Sequence, residues 1–184
     1  IDCAVSSAEI HVYGIFTGSR DDRTSIYQSS YDTGVINKLY TTNGQNRITK
    51  YKDGNVILWS KSDKMPVIQL DLDKKTSKTL YVPKNNIEQL RICTVDGEDF
   101  IVEVESNSFV YMYDFQTESI KEVYTGAGIQ DAVYMNDKQV YVAKSASTNP
   151  KSPLLRVNPE TLETVPVNIK GNVIYALSAD EKTI

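Results

Sequence analysis

A chain of 184 residues, 40% hydrophobic and 24% charged, has the composition of a folded domain with a sizeable core and not of a disordered tail. Its net charge of −4 and pI near 5.1 supply no basic face, which argues against duplex nucleic acid and anionic membrane surfaces as partners. No apolar run approaches the roughly 18 to 20 residues that a membrane-spanning helix needs.

The first residue is Ile1, and no basic, then apolar, then small-residue leader follows it, so the expectation is a removed leader or a piece of a longer chain. Twelve tyrosines and abundant Ser, Thr and Asn suit a β-protein working outside the cytoplasm. Cys3 and Cys93 do not make a disulfide framework; they read as two small buried hydrophobes, with a bridge between them as the alternative.

Alternating apolar and polar residues, punctuated by Gly, Pro, Asn and Asp, predict strands throughout. The first unit has them at 1–7, 10–16, 25–31 and 35–40, and the second at 47–52, 56–60, 67–72 and 79–82. A third unit follows at 87–95, 100–105, 109–114 and 120–124, and a fourth at 129–135, 139–144, 153–157 and 163–169. A fifth begins at 172–179. One segment, 85–95, also carries Ile87 and Leu90 at helical spacing, but it is too short to change the class.

Three landmarks give the units one period. Ile1-Asp2-Cys3-Ala4-Val5 recurs as Ile129-Gln130-Asp131-Ala132-Val133, 128 residues later or three steps of about 43. Asp71, Asp114 and Asn158, after each third strand, are 43 and 44 apart; Tyr40, Tyr81 and Tyr124, on each fourth strand, are 41 and 43 apart. The Asp or Asn has a mechanical role there, because its side chain accepts a hydrogen bond from backbone two residues on.

In Asn158-Pro159-Glu160-Thr161 and Asp114-Phe115-Gln116-Thr117 the chain resembles β-propeller repeats that carry an Asp/Asn-Pro-x-Thr-type turn, as in quinoprotein-like and surface-layer-type propellers. The likeness implies an all-β propeller of four-stranded antiparallel blades at about 1–43, 44–84, 85–127 and 128–171, with another starting at 172–184. Two first strands would compete for one place in a four-bladed ring, so a segment of a larger propeller is expected, able to associate through its open edges. A β-sandwich is the competing architecture. Pro is absent from the first three turns, Lys74 replaces the Thr in the second, and no Trp-Asp or Gly-Gly blade signature is present, so no subfamily function is implied.

Ligands usually meet a blade where its second-to-third and fourth-to-first connections emerge. The densest charge cluster there is Arg20, Asp21, Asp22 and Arg23, with Lys61, Asp63, Asn43 and Asn85 on neighbouring connections. Two arginines beside two aspartates could clamp a carboxylate, or pair with one another in solvent. His11 is the single histidine, which rules out multi-histidine metal sites, and no aspartates stand in a calcium-loop arrangement. Trp59 reads as core packing and the periodic tyrosines as structural. No nucleophile elbow, phosphate loop or dinucleotide fingerprint is present, and no cofactor is implied. The reading that results is a non-enzymatic, extracytoplasmic binding or protein-interaction module, meeting a protein or glycan through its loops. The alternative is a hydrolase or lyase acting on polysaccharide, with carboxylates and Arg20 or Arg23 at the mouth. A quinone-cofactor dehydrogenase is disfavoured, since it needs many aromatic and cationic groups.

Overall fold

The structure is a computed structural model that describes residues 3–5, 11–17, 23–30, 34–45, 47–52, 54–61, 64–145 and 153–168, with backbone alone at 3–5, 11–17, 23, 24, 28, 30, 42 and 43. The described residues contain strands, turns and no helix, in two compact units, Ile1–Asn86 and Ile87–Ile184. In the first unit, β1 (Cys3–Val5), β2 (His11–Thr17), β3 (Arg23–Ser30) and β4 (Ile36–Asn43) make one sheet. A second comprises β5 (Arg47–Lys50), β6 (Asn55–Trp59), β7 (Val67–Asp71) and β8 (Thr76–Tyr81). In the second unit, β9 (Ile87–Val95), β10 (Glu98–Glu105), β11 (Phe109–Asp114) and β12 (Ser119–Thr125) form a sheet. The last sheet is β13 (Ile129–Tyr134), β14 (Val140–Lys144), β15 (Leu154–Val157) and β16 (Thr164–Pro166). Every sheet is an antiparallel meander in chain order. The segment with an alternative helical spacing is strand β9.

Residue chemistry sets the turns. Asp96-Gly97 joins β9 to β10 with φ of 52° and 83°, and Ser106-Asn107 joins β10 to β11 with 48° and 51°. Two consecutive positive φ values match the right-handed twist of the flanking strands, and Gly97 adopts them without a Cβ clash. The third turn repeats a different device. Asp114 Oδ1 accepts from the backbone N–H of Gln116 at 2.7 Å, and Asn158 Oδ1 accepts from those of Glu160 at 2.8 Å and Thr161 at 3.1 Å. Asp71 Oδ1 accepts from the Lys74 N–H at 2.9 Å. Where the third sheet adds Thr117 Oγ1 donating to Asp114 Oδ2 at 2.9 Å, the second uses Lys74 Nζ donating to Asp71 Oδ2, also at 2.9 Å. The Thr-to-Lys departure therefore keeps the clasp and changes its chemistry. That clasp holds the Asp71 carboxyl below the usual carboxylate range, chiefly through the Lys74 backbone N–H. Four residues after each Asp or Asn, Lys75, Glu118 and Leu162 take φ of 56°, 52° and 60°.

The periodic tyrosines mark a bulge. Tyr40, Tyr81 and Tyr124 stand opposite Ile26, Val67 and Val110, and in each ladder the register slips at the next step. The residue left over is Leu39, Leu80 or Val123, an apolar side chain on a largely polar strand. An extra residue bends the strand and re-aims a side chain. Val123, on a strand whose first four residues are exposed, is 2% exposed and joins the core, and Leu39 packs on the core of the first unit.

In β6, β10, β11 and β14 nearly every described position is buried, whichever face it points to, so these strands read as apolar runs. In the second unit Cys93, Val102, Val104, Val110 and Met112 of one sheet pack with Ala132, Tyr134, Val140, Val142 and Leu155 of the other. Phe100 and Tyr134 meet edge to face, with ring centroids 5.0 Å apart. Cys93 is a free, buried thiol whose sulfur accepts from the Tyr134 N–H at 3.4 Å. Burial pushes its pKa up, so it stays protonated and unreactive in the folded chain. Trp59 is buried in the first unit and its indole Nε1 donates to Thr49 Oγ1 at 3.0 Å, the core role expected for it.

Candidate functional site

On the last sheet, side chains from β15, β16 and the turns that flank them and β14 line a groove of about 350 Å³: Asp137, Gln139, Arg156, Asn158, Glu163 and Val165. Tyr141, Arg156 and Val165 are directly opposite one another across β14, β15 and β16, and so share one face. Two residues further along, the Asn158 N–H donates to the Glu163 carbonyl at 2.9 Å, which places Gln139, Asn158 and Glu163 in the adjacent row on that face. Asp137, in the turn between β13 and β14, closes the end. Its Oδ2 accepts from the Tyr141 hydroxyl at 2.8 Å and its Oδ1 from the Gln139 N–H at 3.1 Å.

Tyr141 is the floor that ties these charges together. Its ring is buried, and burial first, then the hydrogen bond to Asp137, push its phenol pKa up; a hydrogen bond with Arg156 pulls the other way. Arg156 is exposed, as are Glu163 and Val165. The groove thus presents one guanidinium between two carboxylates, with two side-chain amides beside them. It can hold a ligand bearing both signs of charge, with Arg156 clamping an anion and Asp137 or Glu163 a cation.

A second charged centre is structural. Arg91 on β9 meets Asp131 on β13 side by side, Nε to Oδ1 at 2.8 Å and Nη2 to Oδ2 at 2.5 Å. The Asp131 side chain is 5% exposed and also accepts from the Ala132 N–H at 2.9 Å. Two further ion pairs link the same two sheets: Lys138 to Asp96 at 2.8 Å and Lys121 to Glu160 at 2.6 Å. Glu103 and Glu105 on β10 are buried as well. Among the described residues, no group of three or more His, Cys, Asp or Glu stands close enough to hold a metal ion.

The residues singled out from the sequence fall elsewhere. Arg20, Asp21, Asp22 and Asp63 lie outside the described residues. Arg23 and Asn43 stand opposite each other at the end of the β3–β4 ladder. Lys61 is exposed just after β6, and Asn85 is half-buried ahead of β9. These connections leave their sheets at the end carrying second-to-third turns. The groove opens at the other end of its sheet, among the first-to-second and third-to-fourth turns.

Many solved structures share this arrangement of sheets. The chain has the β-propeller fold. It superposes on a puromycin-hydrolyzing peptidase of Mycobacterium tuberculosis with a TM-score of 0.62 at 13% identity, over 90% of this chain and 28% of that one. TolB from Acinetobacter baumannii matches at 0.53 and 16% identity over 86% of this chain and 41% of that one. The N-terminal domain of Nup159 matches at 0.55 and 12% identity, covering 84% and 40%. This chain therefore spans less than half the length of these three propellers, and identities so low speak for the fold alone. No family model and no curated protein matches the sequence. No helix among the described residues is long and apolar enough to cross a membrane.

Proposed function

We propose that this propeller is a non-enzymatic protein-interaction module acting outside the cytoplasm, and that its partner docks in the charged groove of the last sheet. The carrying observation is the exposed cluster of Asp137, Arg156 and Glu163, one from β15 and two from the turns beside it, mixed in charge and mounted on one sheet. Rigid scaffolds that present charge in a fixed pattern give specificity through electrostatic complementarity. Propellers with both enzymatic and binding roles occur among the structural neighbours, including a complex in which Nup159 is bound with Dbp5 and Gle1. The tyrosine-rich, Ser- and Thr-rich composition supports the extracytoplasmic placement. Cross-linking capture with the wild-type chain and with Arg156→Glu tests the reading. A protein captured by the wild type and lost with the variant supports it; capture indifferent to Arg156 removes the groove from the interaction.

A second reading draws on the same carboxylates. Asp137 and Glu163 in one groove with Arg156 supply acid, base and anion-binding groups for a polysaccharide-acting hydrolase or lyase. An oligogalacturonate lyase shares the fold, with a TM-score of 0.55 at 12% identity over 89% of this chain. Turnover of any oligosaccharide in a panel, abolished by Asp137→Asn or Glu163→Gln, favours this reading over the first.

A further inference from the structure

Three glycines in the chain directly follow Asn or Asp: Gly44, Gly54 and Gly97. All three take positive φ, but their surroundings differ. A Cβ on Gly44 would lie 2.5 Å from the Met65 side chain and one on Gly54 would lie 2.6 Å from the Asp73 carboxylate, whereas nothing comes within 4 Å of that position on Gly97. The Gly97 turn is therefore open on its outer side. It joins β9 to β10 between the paired residues Val95 and Glu98, and positive φ at both Asp96 and Gly97 is the pattern of a type I′ hairpin loop. A type II′ loop closes the same two strands. The two loops differ by a turn-over of the peptide between the central residues, which carries the second of them to negative φ, and glycine makes that change at no steric cost. In the II′ form the first central residue keeps its positive φ and takes a ψ of about −120°. That ψ swings the Gly97 nitrogen back over the Asp96 side chain, within reach of its carboxyl carbon.

We infer that Asp96 is a site of spontaneous conversion to isoaspartate, and that Lys138, in the turn between β13 and β14 of the next sheet, restrains it. The Gly97 nitrogen adds to Asp96 Cγ; the carboxyl loses its hydroxyl and the nitrogen its proton, and the two leave as water. Water then reopens the five-membered imide that has formed. Breaking the bond from nitrogen to Cγ returns aspartate, while breaking the bond from nitrogen to the main-chain carbonyl carbon leaves the chain running through Cβ and Cγ. Nothing is oxidised or reduced, and the final mass is that of the starting chain. The Asp96 side chain is 62% exposed, so water reaches the imide. Its Oδ2 is held by Lys138 Nζ at 2.8 Å, and that pair has to open before the carboxyl can turn to Gly97 and give up an oxygen. An exposed ion pair of this kind slows the step by about threefold and does not abolish it. Conversion lengthens the turn by one backbone atom and moves the carboxylate off Lys138, which ends one of the links between the two sheets.

The test incubates the wild type, Lys138→Ala and Gly97→Asn in warm neutral buffer, digests each, and locates isoaspartate by enzymatic methyl transfer to its free α-carboxylate and by a peptide of unchanged mass and shifted elution. In the wild type the modified residue should accumulate at Asp96 sooner than at the same dipeptide in Asp53-Gly54. Lys138→Ala should accumulate it about threefold faster than the wild type. Gly97→Asn, which puts a side chain on the attacking residue and still tolerates left-handed φ, should lose it. Lys138 and Gly97 are exposed, and an unchanged thermal transition confirms that each variant folds. No isoaspartate at Asp96 in the folded wild type, its appearance only after unfolding in urea, no lead over Asp53, or one rate with and without Lys138 would overturn the inference.

Discussion

Leu162 carries a cost that its neighbours in the repeat share. A non-glycine residue in the left-handed region brings Cβ against the following carbonyl oxygen, at about 1–2 kcal/mol. Leu162 sits there at φ 60° with 55% of its surface exposed, so its side chain gives little back in burial. Leu162→Gly should raise unfolding free energy by about 1 kcal/mol in a urea titration, the strain relief exceeding glycine's extra entropy. Tyr111 shows a different residue-level effect. Its pKa is pushed up to about 12, first by burial and then by donating to Glu122 Oε2 at 3.1 Å. The raised value means that the folded chain favours the neutral phenol. The stability this confers is complete below the unfolded pKa of about 10 and is lost as pH climbs through about 12. Tyr111→Phe should flatten the fall in urea midpoint across that window, without abolishing it, because burial also raises Tyr134 and Tyr141. At this scale the sequence spoke clearly wherever a residue worked locally. The turn role of Asp71, Asp114 and Asn158 follows from side-chain length alone, whereas the substitute clasp of Lys74 needed the Nζ position.

Between elements, the three ion pairs joining β9–β12 to β13–β16 differ in worth because they differ in access to water. Lys138 with Asp96 and Lys121 with Glu160 are all more than 40% exposed, and pairs of that kind contribute under about 1 kcal/mol. Arg91 with Asp131 is the consequential one. Arg91→Ala leaves a carboxylate 5% exposed without its cation, and should cost about 3 kcal/mol by urea unfolding, while Lys121→Ala should change little. The strand pattern was readable at this scale because alternation and a steady period reinforce each other. The bulge was half readable: the tyrosines kept time with the repeat, but the meaning of the preceding Leu39, Leu80 and Val123 appears only in the register.

For the whole chain, a pI near 5.1 predicts a solubility minimum close to pH 5, visible as a peak in light scattering across a pH series. The propeller fold could be read from the chain, since the period of about 43 needed no tertiary information. The groove could not, because its six residues are spread over 29 positions in two strands and the turns beside them. One signal was nonetheless available: comparing units at equal phase exposes Arg156 where Met112 and Gln69 stand. Reading loops for charge directed attention to the opposite end of the sheets.

The bulges in the outer ladders also bear on how these chains behave when crowded. A straight outermost strand offers a row of unpaired N–H and C=O groups on which a second chain can grow into a fibre. Here β4, β8 and β12 are each interrupted near their C-terminal ends, β8 and β12 are polar and carry lysine, and β16 ends in Pro166, which has no N–H to offer. The same extra residue that turns Val123 into the core therefore spoils the outer strand as a template for amyloid growth.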